Sequence, residues 1–145
     1  MGVVTSTANA GATYVPLMTS TLASAVASVT LSSIPSTYTD LVVVYNGNVR
    51  SNSAIYIEYN GDTATNYSMT RLYGNGSTAT STRSASVNLA FLGDITTSNN
   101  TVTTQIQNYS NTNTYETAIA RSSDASTAVS AAVALWRNKI GRAHV

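Results

Sequence analysis

The chain has 145 residues, enough for one domain with one buried core and too few for two domains of ordinary size. Charged residues fill 9% of positions against roughly 25% in an average soluble domain, while Ser and Thr fill roughly 30%, so the surface is polar by hydroxyl and amide. A net charge of +1 with no run of Lys or Arg argues against nucleic acid and anionic membrane surfaces as partners, and the lack of cysteine excludes disulfides, thiolate nucleophiles and Cys-ligated metals.

The first segment, "MGVVTSTANAGATY", has neither a basic n-region nor an apolar h-region, so no signal peptide is expected, and no stretch approaches the roughly 18 apolar residues of a membrane-spanning helix. In "TLASAVASV", Leu22, Ala25, Val26 and Val29 fall at helical spacing, yet Val29 and Leu31 also share a strand face. The strand is expected because every neighbouring segment reads as β. Pro35 then holds Ile34 extended, Thr39 and Asp40 suit side-chain turns, and Tyr38 is expected to pack where the chain joins the sheet.

"LVVVY" (41–45) is apolar on both faces, the pattern of a central strand covered on each side. Ile55, Ile57 and Tyr59 alternate with Tyr56 and Glu58, and Val87, Leu89 and Phe91 alternate with Asn88 and Ala90. Val102, Thr104 and Ile106 alternate with Thr103 and Gln105, and Tyr115, Thr117 and Ile119 with Glu116 and Ala118. "AVSAAVALW" also fits a helix through Val129, Ala132, Val133 and Trp136, but the strand, with Val129, Ala131, Val133 and Leu135 on one face, is expected. Turns are predicted at Asn46-Gly47, Asn60-Gly61-Asp62, Gly74-Asn75-Gly76, Gly93-Asp94 and the "TTSNN" run before Val102. Short antiparallel strands at this spacing predict an all-β fold, a β-sandwich or a barrel.

Four motifs stand in order along most of this text: "IPSTYTDL" (34–41), "NGDTATNYS" (60–68), "NYSNT" (108–112) and Trp136-Arg137. Together they resemble a family of small structural proteins of tailed bacteriophages, with the likeness running over residues 14–138. The resemblance implies a jelly-roll-like antiparallel sandwich in the virion, made in the host cytoplasm. It implies contacts with other virion proteins, a homo-oligomer such as a trimer, and no catalytic, cofactor or metal positions.

The side-chain chemistry agrees with a non-enzymatic reading. Asp62 and Asp94 are the carboxylates that a sandwich end could bring across a sugar, as a polysaccharide hydrolase requires, but both sit beside glycine in ordinary turn contexts. "NGDTATN" lacks the closing carboxylate of a calcium loop, so no metal or other cofactor is expected. Nine tyrosines among many asparagines suit a surface glycan, with Tyr56, Tyr67, Tyr73 and Tyr109 as the candidate exposed rings. The alternative function is therefore a carbohydrate- or receptor-binding module of a tail fibre. Tyr and Thr are equally at home in any sheet, so cross-strand packing is the plainer account of these rings. Four N-glycosylation sequons, at Asn66, Asn75, Asn99 and Asn108, are what a chain this rich in Asn, Ser and Thr holds by chance.

The ending departs from all of this, since residues 139–145 hold both the lone lysine, Lys139, and the lone histidine, His144. "IGRAHV" is the translation of ATC GGA AGA GCA CAC GTC, a common sequencing adapter whose next codon is a stop. The expectation is a native domain over residues 1–138 that lacks its last one or two strands, followed by an adapter-derived tail. Without Lys139 and Arg142 five basic residues face six acidic ones, and the net charge moves from +1 to −1.

Overall fold

The computed structural model describes residues 14–124 and 128–138, and the tail over 139–145 lies outside the described residues. The described chain is all-β, with eight strands and no helix: β1 (Leu41–Gly47), β2 (Ser53–Ile57), β3 (Tyr67–Gly74), β4 (Ala79–Val87), β5 (Ala90–Ile95), β6 (Asn100–Gln107), β7 (Glu116–Ser123) and β8 (Val129–Trp136). Six strands form one antiparallel sheet in the order β1-β6-β7-β8-β3-β4, and β2 pairs with β5 in a second sheet. Strand β5 lies over β7 and β8, and the core fills the space between, as in a β-sandwich.

Alternation holds best in β6, where Asn100, Val102, Thr104 and Ile106 are buried and the residues between them face out. In β7 and β8 the period is also two, but the buried sets are Glu116, Ala118, Ala120 and Ser122, and Ser130, Ala132, Ala134 and Trp136. The small side chains go inward and Ile119, Val129 and Val133 go outward. Close approach of β5 is the reason. A Cβ built on Gly93 would stand 2.4 Å from Ser122 Cβ, and the Ser122 and Ser130 hydroxyls are 2.5 Å apart beneath it. Any larger residue on this floor would push the sheets apart.

Several expectations are corrected. Strand β1 is an edge strand, paired with β6 alone, and its Val42 and Val44 face solvent; an apolar run shows that both faces suit burial, not that both are covered. Gly93-Asp94 lies inside β5, where glycine serves the close approach to Ser122. Asn46-Gly47 ends β1 rather than forming a separate turn. The alternation drawn across Val87–Phe91 is broken at Asn88 and Leu89, where the chain leaves the large sheet for the small one. Residues 14–40 contain no strand and no helix, so neither reading of the Leu22–Val29 stretch holds. Elsewhere the turn chemistry agrees: Asn60 and Gly61 take positive φ of 55° and 68°, Gly76 takes 84°, and the Asn100 side chain bonds Thr96, Ser98 and Gly47 to hold the "TTSNN" turn.

Candidate functional site

Three places bring distinctive side chains together, and the first two are built largely by the four motifs. At one end of the sandwich the loop 59–67 folds against the end of β8. The Asp62 carboxylate accepts hydrogen bonds from Trp136 Nε1 at 2.6 Å, Asn138 Nδ2 at 3.0 Å, Ala64 N at 3.0 Å and Asn66 Nδ2 at 2.9 Å. Tyr67 donates its hydroxyl to Asp62 O and accepts from Tyr59 N, each at 3.0 Å. Arg137 completes the clasp: its N–H donates to Asn66 O, and its guanidinium to Thr65 O and to Ser86 Oγ beside the β3–β4 bulge. Beneath lie Trp136, Tyr59 and Tyr67, with Trp136 centroids 5.3 and 6.3 Å from the two tyrosines.

Burial pushes the Asp62 carboxyl up, but its donors outweigh that and hold it at about 2, so it stays ionised as an acceptor. The opposite case stands close by. Glu116 is 3% exposed, pairs in register with Trp136, and leaves one oxygen without a partner among the described residues. Burial raises its pKa, and burial likewise pushes Tyr67 to about 12. A depression of about 300 Å³ opens beside Asp62, lined by Asn60, Gly61, Thr63, Ala64, Trp136 and Asn138.

The second clasp joins "IPSTYTDL" to "NYSNT". Tyr109 donates its hydroxyl to Pro35 O, and Asp40 accepts from Asn108 N at 2.9 Å and Gln105 Nε2 at 3.0 Å. Asp40 thus binds partners 65 or more residues away rather than closing a local turn. Tyr38 and Ile34 pack against the core, as expected of the point where the chain joins the sheet.

The third place is a ladder between the sheets. Arg71 on β3 pairs with Asp94 on β5, and its guanidinium lies 4.8 Å from the Tyr73 ring centroid and 4.9 Å from that of Phe91. Tyr56 meets Phe91 edge-on at 5.8 Å and is half exposed. Arg71 Nε is buried and has no partner among the described residues.

Of the four candidate rings, Tyr56 and Tyr73 therefore share one surface cluster. Tyr67 and Tyr109 are fully buried and are not exposed contacts. Each ends its motif in a clasp, and a tyrosine flanked by Asn and Ser looks exposed only when its hydroxyl's distant partner is unseen. Of the two carboxylates named for a hydrolase, Asp62 is engaged at the β8 clasp and Asp94 by Arg71. Sequence reasoning missed Arg71. The one available signal was parity, since it shares the inward face of β3 with Met69 and Tyr73.

Outside these clusters, the outer face of the large sheet is uncovered. Val44, Leu72, Ile119, Val129 and Val133 are 44–64% exposed there, and the register sets Ile119 opposite Val133, with Leu72 opposite Ala131. Comparison with protein-family models, with curated proteins and with solved structures finds no match to this chain.

Proposed function

We propose that the chain is a structural, decoration or tail-appendage subunit of a tailed-phage particle that works through protein–protein contacts. The observation that carries the reading is the uncovered outer sheet face, where Leu72, Ile119, Val129 and Val133 form an apolar band bordered by Thr70, Gln105 and the exposed Arg121. Contiguous exposed apolar surface of this kind marks an interaction site in a protein that otherwise buries its core. The four motifs behind the resemblance act here as clasps that fix loops to strand ends, which is a structural employment. Mass spectrometry of purified, protease-washed phage particles tests the reading. Peptides of this chain at stoichiometry with other virion proteins are expected, and their confinement to the soluble lysate would overturn it.

The Tyr56–Phe91–Arg71–Tyr73 ladder favours a second reading, binding of a surface glycan. Half-exposed rings and a guanidinium beside a carboxylate suit the apolar face and the hydroxyls of a pyranose. A glycan array on the oligomeric protein, repeated with Tyr56→Ala, separates the two: saccharide binding lost in the variant supports this reading, and silence across bacterial surface sugars removes it.

A further inference from the structure

We propose that residues 14–33 form an arm that lies across the outer sheet face of a second copy of this chain; the inference rests on the protein-contact reading above and gives that contact a partner. Tyr14, Leu17, Met18, Leu22, Val26 and Val29 are 42–70% exposed, although they are the kinds of residue a chain of this length normally buries. Among the described residues no hydrogen bond joins 14–33 to either sheet, and no regular element forms there. The segment's root, by contrast, is fixed. Ile34 and Tyr38 pack on the core, Tyr109 bonds Pro35 O, and Asp40 is held by Asn108 and Gln105. An arm clamped at its base and bare along its length has the build of an exchanged element.

Its chemistry matches the face. Residues 14–39 carry no charged side chain, so the arm itself takes no ion away from water, and Arg121, exposed beside Ala131 on the same face, borders the band it would cover. The band formed by Leu72, Ile119, Val129 and Val133 is 44–60% exposed on the folded body, so its own arm leaves it open. Reach is ample. Twenty extended residues span about 65 Å, whereas six strands at 4.8 Å spacing are about 25 Å across. A stable interface engages about 20–30 residues a side, which one arm and the face beneath it supply.

The lack of cysteine makes disulfide trapping clean. Chains carrying Val26→Cys are mixed under mild oxidation with chains carrying Leu72→Cys, Ile119→Cys or Val133→Cys, and Val26→Asp and Val133→Asp are weighed by light scattering beside the parent chain. The expected result is a disulfide-linked heterodimer for at least one pairing. In both Asp variants the mass is expected to fall from an oligomer to a single chain with the thermal midpoint of the body unchanged. A Val26→Cys, Val133→Cys double variant that closes within one chain would overturn the inference, because the arm would then cover its own face. An oligomer that survives both Asp substitutions and forms no heterodimer would overturn it while leaving the protein-contact reading in place. A parent chain that is monomeric at high micromolar concentration would overturn it too, leaving only different virion proteins as partners.

Discussion

The two faces of the six-stranded sheet carry different side chains on the same strands and do opposite things. On the inner face of β7 and β8 the side chains are Ala and Ser, ending in Glu116 and Trp136, and nearly all are inaccessible. The outer face of the same strands carries Ile119, Val129 and Val133, all at least 44% exposed. Size, not polarity, has decided which face of these two strands is inside: the small residues lie where β5 comes closest, and the larger apolar ones are left exposed. Packing between sheets depends on shape, while the hydrophobic effect is indifferent to which molecule supplies the cover.

If that contrast is right, substitutions on the inner face are severe and those on the outer face are mild. The largest effect is expected for Trp136→Ala, which empties the aromatic cluster and removes a donor from Asp62. A loss of about 3–5 kcal/mol is expected in urea unfolding; Trp136→Phe, keeping a ring without the N–H, should cost less. Gly93→Ala is next, at about 1–3 kcal/mol, because its methyl meets Ser122. The cost should shrink in a Ser122→Gly background, and a double-mutant cycle with no coupling would show that the sheets are not in close contact there.

Two carboxylates at the Trp136 end sharpen the comparison through pH. Burial raises Glu116, so the folded state prefers it protonated, and its penalty grows as pH rises from the ordinary value of 4.5 toward the raised folded value. Glu116→Gln is expected to stabilise the protein at neutral pH, with the gain fading below 4.5. Asp62, lowered from 3.8 to about 2, has the opposite sign: its contribution is present above 3.8 and lost as pH falls toward 2. Asp62→Asn should therefore flatten the acid limb of the stability curve, as read by urea midpoints from pH 2 to 7. The smallest effect is expected for Val133→Thr in dilute monomer, within about 0.5 kcal/mol; a loss several times larger would mean that the outer face is already covered within one chain.

How much could be read beforehand differs element by element. The strand character of β6 was fully legible, because Val102, Thr104 and Ile106 alternate with polar residues and the apolar set is the buried one. In β7 and β8 the same period was legible, but the inside was not, since an Ala/Ser set and an Ile/Val set compete and hydropathy favours the wrong one. At the ladder, Tyr56 and Tyr73 were both legible as candidate exposed rings, Tyr56 on an expected strand, whereas the strand that carries Tyr73 was not read from the sequence. Arg71 and its pairing with Asp94 join β3 to β5 across the sandwich, and no spacing along the chain encodes that contact. Tyr67 and Tyr109 were misplaced for the same reason, their partners being Tyr59, Asp62 and Pro35 at positions local pattern does not link to burial.

By itself, then, the sequence determined an all-β chain of short strands, its Asn-Gly turns, and a surface polar without charge, because period, positive φ and composition are local properties of the chain. Tertiary structure decided that β1 is an edge, that Gly93 is a packing residue rather than a turn, that Asp62 is an acceptor hub, and that residues 14–33 stand apart from the core. Each of these depends on which strand comes to lie beside which. That choice is made by long-range fit between surfaces, and a linear pattern carries only one of the two surfaces at a time.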